Sequence, residues 1–376
     1  MINNIHNKRV VVAMSGGVDS SVAAALLKCQ GYNVSGVFMQ FWAPTSDHYN
    51  ENKCCSRQAW QEARQVAGII GIPIYKVNFG RQFKQLIVDE FLRQYQAGLT
   101  PNPCVACNKF IKFDLLLKYV MMVFNADYLA TGHYARLRPE IRNRKYEIGN
   151  IINNKNSKQK FQLIRAKDLS KDQTYFLYNL KQNQLKHLLF PLGGYRKTEV
   201  RALAKKMKLP VFAKPDSQEI CFVGGSHYDF LKRYLKLKPG KITDVATGRA
   251  IGVHQGLPLY TLGQRSGIGL SGGPWYVCGF KRQQNVLLVT KNQCQSEIYR
   301  QELNLKNINW LSGQPKFPLA CAAQIRYQAK PAKCAVKKFG NKFYVSFSKS
   351  QRAAMPGQSV VFYEGDKLLG GAIITR

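Results

Sequence analysis

The sequence predicts an α/β fold, a domain with a doubly wound parallel sheet, followed by a small central region and an all-β, barrel-like C-terminal part. Two observations carry this. From Lys8 to Thr131 strand-like and helix-like segments alternate, which is the pattern of βαβ units. Past Pro215 that alternation stops, Gly and Pro become dense, and short runs such as NVLLVT, CAAQIRY, KFYVSF and QSVVFY take over, as in a small barrel.

The apolar β-branched stretch from Lys8 to Ala13 reads as the first strand, and the Ala/Leu-rich stretch from Asp19 to Gln30 as the first helix. A strand from Asn33 to Gln40, a helix from Ser56 to Ile69, a strand from Ile74 to Phe79 and a helix from Arg81 to Ala97 follow. A helix from Phe113 to Phe124 and a strand from Asp127 to Thr131 complete the alternation. Ligands of such sheets collect at the carboxyl ends of the strands, where Ser15 to Ser21, Met39 and TGHYA (Thr131 to Ala135) would emerge. Between Arg138 and Lys160 the chain is polar, Asn/Lys-rich and without period, which predicts a mobile surface insertion. SKDQTYFLYNL and the amphipathic RKTEVRALAKKMKL return to a helical pattern up to Pro210.

The junction after the first strand, Ser15-Gly16-Gly17, has the form of an anion site. Two glycines let the backbone approach a ligand, and the amides opening the next helix point at it. No lysine follows Gly17, so the G-x-x-x-x-G-K-[ST] grip on terminal phosphates is missing and simple γ-phosphoryl transfer is not indicated. Ser15, Asp19, Ser20 and Ser21 instead gather hydroxyls and a carboxylate where a Mg-nucleotide would sit.

Composition points to the partner. Of 376 residues, 56 are Lys or Arg and 21 Asp or Glu, a formal charge of +35 that exceeds what solubility requires and suits a polyanion such as nucleic acid. With 45% hydrophobic residues the chain is globular, and its length suffices for two or three domains. No run of about 18 apolar residues occurs and Met1 to Arg9 lacks an apolar signal-peptide core, which argues for a cytoplasmic protein without membrane contact.

Ten cysteines in a reducing compartment suggest buried thiols, metal ligands or catalytic thiols rather than a disulfide framework. In LTPNPCVACNKFIKF two prolines stiffen a loop that delivers Cys104 and Cys107 just before a helix, with Lys109 and Lys112 beside them. A helix N-terminus and neighbouring ammonium groups both favour thiolate. A third thiol, Cys221, lies in KPDSQEICFVGG, where two glycines suit a mobile loop. No second C-x-x-C exists, so four-cysteine zinc is unsupported. A two-thiol relay and a cluster on Cys104, Cys107 and Cys221 with one open iron both remain. Cys29, Cys278, Cys321 and Cys334 sit in apolar patterns and read as core, whereas Cys54, Cys55 and Cys294 read as incidental. His133, the group Lys171, Asp172 and Gln173, and the pair Arg326 and Tyr327 offer phosphate and base contacts.

Taken in order, AMSGGVDSS, TPNPCVACNKFIKF, ATGHYAR, SKDQTYFL, DSQEICF, HQGLPLYTLGQRSGIGL, PWYV, IRY and PGQSVVFY resemble the tRNA-specific 2-thiouridylases of the PP-loop ATP pyrophosphatase superfamily over nearly the whole chain. The resemblance implies a PP-loop domain over 1–215 with the insertion at 138–160, a central tRNA-binding domain over 216–295, and a C-terminal β-barrel over 296–376. It implies a sulfurtransferase that adenylates the C2 oxygen of the wobble uridine and replaces it with persulfide sulfur, using ATP with Mg2+. By position, Ala13, Met14, Ser15, Gly16, Gly17, Val18, Asp19, Ser20, Met39 and Gly132 would contact ATP. Cys107 would be the nucleophile and Cys221 the persulfide carrier, the two forming a transient disulfide. Asn102, Pro103 and Cys104 would face the target base, and His133, Lys171, Asp172, Gln173, Arg326, Tyr327 and Gln358 would contact tRNA. Partners implied are tRNA, with Lys, Glu and Gln acceptors, and a persulfide donor protein or cysteine desulfurase, acting on a monomer. Many family members carry Asp at the position of Cys104, so the acid/base role given to that Asp has no evident bearer here. Other PP-loop enzymes making 4-thiouridine, 2-thiocytidine or lysidine, and a non-catalytic RNA-binding protein, are the alternatives.

Overall fold

The computed structural model describes residues 7–43, 56–140, 159–216, 220–292 and 298–375. Five parallel strands form the first sheet: β1 (Arg9–Ala13), β2 (Asn33–Gln40), β3 (Ile74–Asn78), β4 (Tyr128–Ala130) and β7 (Leu188–Leu189), in the order β3-β2-β1-β4-β7. β1 lies at its centre, and Val10, Val11 and Val12 are at most 2% exposed, which is why this strand reads as an unbroken apolar run. Helix α1 (Val18–Cys29) packs on the sheet through Val22, Ala23, Ala24 and Leu27. In α2 (Arg57–Ile70) Ala59, Ala63, Val66 and Ala67 form the buried stripe, Ser56 caps the start and Gly71, at φ 66°, closes the end in the left-handed conformation.

Two long helices follow, each with a wide π segment. α3 runs over 80–96 with its π segment at Lys84–Asp89. α4 runs over 103–123 with one at Cys107–Leu116. α4 therefore starts at Pro103 rather than near Phe113, and Cys104 and Cys107 stand on its first turns rather than in the loop before it. Asn102 and Pro103 explain the early start: the Asn102 side chain accepts from the Val105 amide at 3.2 Å, and proline is preorganised for the first helical position. The helix expected through SKDQTYFLYNL is a single 3-10 turn, Thr174–Phe176, because Asp172 turns inward and fixes the backbone around itself. α5 (Lys197–Lys206) is present as expected and packs against α1.

Around the polar stretch, β5 (Ala135–Pro139) and β6 (Phe161–Arg165) pair as antiparallel strands, so the ends of the expected insertion are ordered; 141–158 lie outside the described residues. β6 then pairs with the strand at Lys367–Ile374, so chain from the first domain extends the C-terminal sheet. The central region holds α6 (His227–Tyr234), which the sequence reading did not anticipate. It also holds a sheet of β8 (Gly240–Asp244), β9 (Ala250–His254), β10 (Tyr276–Lys281) and β11 (Val286–Thr290) in the order β10-β11-β8-β9. The C-terminal barrel comprises β12 (Tyr299–Trp310), β13 (Leu319–Gln324), β14 (Ala332–Phe339), β15 (Lys342–Arg352), β16 (Ser359–Glu364) and β17 (Lys367–Ile374). Pairing of β12 with β17 closes it. Among the described residues no helix is long and apolar enough to cross a membrane.

Candidate active site

The loop after β1 is shaped by its small residues. Gly16 adopts φ +70°, and a Cβ there would overlap the Ala59 carbonyl of α2. A Cβ on Gly132, just past β4, would lie 2.8 Å from backbone atoms of Asp19 and Ser20. The Ser15 amide donates to Ser20 Oγ at 3.1 Å, and the Ser21 hydroxyl donates to the Gly17 carbonyl at 2.9 Å. Gly17 at the N-cap of α1 supplies no side-chain acceptor, so the first-turn amides are left for an external anion. Ala13, Met14, Val18 and Met39 are buried, so these positions present backbone rather than side chain to a ligand. The donor set fits nucleotide phosphates: unblocked helix amides, exposed Ser15 and partly exposed Asp19.

Behind this loop stands a charge network that the sequence reading missed. Lys197, at the start of α5, places Nζ 2.8 Å from both oxygens of Asp19 and 2.8 Å from Asp216 Oδ1. The Tyr134 hydroxyl donates to Asp19 Oδ1 at 2.7 Å. Lys171 reaches Asp216 Oδ2 at 2.7 Å and Arg201 reaches Oδ1 at 2.8 Å. Burial alone would push the Asp216 carboxyl up, but its bonds to Lys171 and Lys197 outweigh this and hold it down at about 2. Lys214 donates to the Gly16 carbonyl at 3.0 Å and pairs with Glu62. The absent loop lysine was the one sequence signal that a cation must come from elsewhere.

The thiols take distinct environments. Cys104 is exposed and Cys107, one turn on along α4, is 7% exposed. Cys221 is half-buried, and its neighbour Phe222 is wedged among Phe83, Phe91 and Phe230 at ring separations of 5.7, 5.2 and 5.6 Å. Phe222 thus packs on α3, while 217–219 of the loop read as mobile lie outside the described residues. None of the described cysteines is in a disulfide. Among the described residues no three His, Cys, Asp or Glu side chains gather within metal-ligating reach, so Cys104, Cys107 and Cys221 do not form a preformed cluster site. Cys29 is exposed at the end of α1 and Cys321 half-buried, whereas Cys278 and Cys334 are core as expected. Cys54, Cys55 and Cys294 lie outside the described residues.

Near Cys104 the barrel contributes aromatic surface. Tyr327 meets Phe176 at 4.5 Å and Tyr175 at 6.2 Å between ring centres. Burial first, then the charges of Asp172 and Cys104, push its hydroxyl up. Gln358 donates to the carbonyls of Thr100 and Pro101 at 3.1 and 3.2 Å, and the Thr100 amide donates to Pro356 at 2.9 Å. The barrel therefore seats the TPNPC loop, with Gln358 facing protein. Arg326 is exposed, its guanidinium on the Arg352 carbonyl.

His133 and Asp172 are interior. His133 is 9% exposed, shares a 2.7 Å hydrogen bond with Thr131 and packs on Phe113 and Phe190. Burial, aided by Lys112, holds its imidazole well below the usual value and hence neutral. Asp172 accepts from the Ala166 amide at 3.0 Å and the Thr174 hydroxyl at 2.7 Å, with Arg165 at 3.3 Å. The Gln173 side chain accepts from the Tyr134 amide at 3.0 Å. The Thr131 to Tyr134 turn thereby touches the loop after β1 and the first turn of α1 through Gly132 and Tyr134, and α4 through His133.

Comparison with known proteins follows this layout. Three family profiles match: tRNA methyl transferase HUP domain over 8–225, tRNA methyl transferase PRC-barrel domain over 228–291, and aminomethyltransferase beta-barrel domain over 300–374. The chain is 47% identical to tRNA-specific 2-thiouridylase MnmA of Carboxydothermus hydrogenoformans, over 99% of both chains. It is also 47% identical to tRNA-specific 2-thiouridylase MnmA 2 of Caldanaerobacter subterraneus subsp. tengcongensis, over 98% of both chains.

Proposed function

The chain belongs to the tRNA-specific 2-thiouridylase family, and we propose that it replaces the C2 oxygen of the wobble uridine of tRNA with sulfur at the expense of ATP. The observation that most supports this reading is the meeting, around one short turn, of a phosphate loop with an unblocked helix N-terminus and the cysteine-bearing helix α4.

A uridine C2 oxygen is a poor leaving group. It attacks the α-phosphorus of ATP, pyrophosphate departs against the amides of α1, and the oxygen becomes part of an adenylate. Mg2+, when bound, would neutralise the departing pyrophosphate; Asp19 and the hydroxyls of Ser15 and Ser20 are the side chains placed to serve it. Sulfur arrives as a persulfide on Cys221, loaded by a persulfide donor protein or cysteine desulfurase. The Cys107 thiolate attacks the Cys221 sulfur, releasing hydrosulfide and forming a Cys107–Cys221 disulfide. Hydrosulfide adds to C2, AMP leaves, and an external dithiol returns both cysteines to thiols. The wobble base enters flipped out, against Tyr327, Phe176 and the Asn102 to Cys104 turn. Arg326 and Lys171 are the cations set to meet tRNA phosphates, and Lys, Glu and Gln tRNAs are the expected acceptors.

The test is nucleoside mass spectrometry of tRNA after reaction with ATP and a persulfide donor. 2-Thiouridine should form with release of AMP and pyrophosphate, and Cys107→Ser or Cys221→Ser should abolish it. Cys104→Ser should retain most activity, because an exposed neighbouring thiol takes no step in the relay. Formation of 4-thiouridine, 2-thiocytidine or lysidine, or release of ADP, would overturn the reading.

A further inference from the structure

Cys321 on β13 and Cys334 on β14 stand directly opposite each other, and we propose that they are a redox-active dithiol, closing to a disulfide by exchange with a small disulfide of the glutathione type and reopening with a dithiol. The site belongs to the barrel and is independent of the relay on Cys107 and Cys221.

The strand register sets the geometry. Cys321 pairs with Cys334 between the rungs Ala320–Ala335 and Ala322–Lys333, so both side chains leave the same face of the sheet. Directly opposed residues of an antiparallel pair lie about 4.5 or 5.5 Å apart at Cα, and both spacings fall within the range of about 4.4 to 6.8 Å that a disulfide spans. The two sulfurs are 3.6 Å apart. They need approach by only about 1.5 Å to reach bonding distance, which is within reach of side-chain rotation and leaves the strands in place. Cys334 is part of the barrel core with Val336, Val345 and Phe347, and Cys321 packs against that core from a half-buried position.

The thiols are unequal, which orders the steps. Cys334 is 9% exposed, so Cys321 is the one a dissolved disulfide meets first. The hydrogen bond between them holds Cys321 below the usual thiol value, against burial and the charge of Glu364, and the same bond together with burial pushes Cys334 up. The Cys321 thiolate attacks one sulfur of glutathione disulfide, that S–S bond breaks, and one glutathione leaves as thiolate. Cys334 then gives its proton to solvent and attacks the Cys321 sulfur, expelling the second glutathione. Two electrons pass from the cysteine pair to glutathione disulfide, and the two thiol protons end on the two glutathiones released. The new bond joins positions thirteen apart, and the turn it encloses carries Arg326 and Tyr327. Oxidation thereby braces the hairpin from which those two side chains emerge.

The test uses the full-length protein, reduced and then equilibrated with glutathione in about tenfold excess over glutathione disulfide. After alkylation with N-ethylmaleimide it is digested with trypsin without reductant and read by mass spectrometry. In the wild type, peptide 317–326 should be linked to peptide 334–337 in at least about half of the molecules, and dithiothreitol should separate the two. The exposed Cys29 should carry glutathione in only about a tenth of them, a fivefold difference that arises because the second step of the pair is intramolecular. Cys334→Ser should stop at the mixed disulfide on Cys321, and Cys321→Ser should leave Cys334 unmodified. The wild-type measurement decides the matter if either serine variant does not fold. Linkage no greater than the modification of Cys29, glutathione retained on Cys321 in the wild type, or Cys321 joined to any other cysteine instead would overturn the proposal.

Discussion

Replacing Gly132 by alanine should damage nucleotide chemistry far more than it damages the fold. The added Cβ would stand 2.8 Å from the Asp19 carbonyl carbon and the Ser20 nitrogen and 3.1 Å from Asp19 Cβ, where ordinary contacts begin near 3.4 Å. Two of those three atoms are backbone, so no side chain can swing away, and the first turn of α1 must retreat by about half an ångström. Such overpacking costs about 1–3 kcal/mol, or a fall of about 2–10 °C in the unfolding midpoint for a domain of this size. On the proposed reading, the amides displaced are those that would receive the pyrophosphate. Since a misplacement of about 1 Å can cost about 100-fold, a shift half as large should reduce AMP formation about tenfold. The assay is AMP and pyrophosphate release by Gly132→Ala beside thermal unfolding. Gly194→Ala serves as control, because its Cβ would meet nothing within 4 Å. Wild-type turnover by Gly132→Ala would refute the claim that this close approach sets the loop.

Two further outcomes follow from charge. Because burial holds His133 neutral well below 6.5 in the fold, the unfolded chain takes up a proton that the folded chain refuses as pH falls below that value. The stability this contributes is complete above 6.5 and lost as pH falls through it toward the lower folded value. His133→Gln should therefore flatten the decline of the unfolding free energy from urea titrations below pH 6.5, by up to about 1.4 kcal/mol per pH unit; an unchanged slope would disprove it. For tRNA, a protein of charge +35 should bind with an affinity that falls log-linearly with salt. Arg326→Ala should reduce that slope by about one, whereas a slope equal to wild type would remove the exposed guanidinium from the phosphate contacts.

The order of β1, the glycine loop and α1, the amphipathic α2 and the closing β-rich region were legible in the sequence, as were the thiols at Cys104, Cys107 and Cys221. Each of these is a local pattern: an unbroken apolar run, a period of 3.6, a dipeptide at a turn. Helix α4 starts ten residues before the expected Phe113, because Asn102 and Pro103, a cap and a first-turn proline, also read as a stiff loop. What only the tertiary structure decided is where chemistry-bearing side chains point. Asp172 and His133 looked like nucleic-acid contacts and are interior, because a polar residue in a turn can face its own backbone as readily as solvent. Lys197 and Tyr134 looked ordinary and converge on Asp19 from 178 and 115 residues away. Local pattern depends on neighbours within a few positions and is written in the sequence. A carboxylate's cation is chosen by which helix packs beside it, and that choice exists only once the sheet has brought α1 and α5 together.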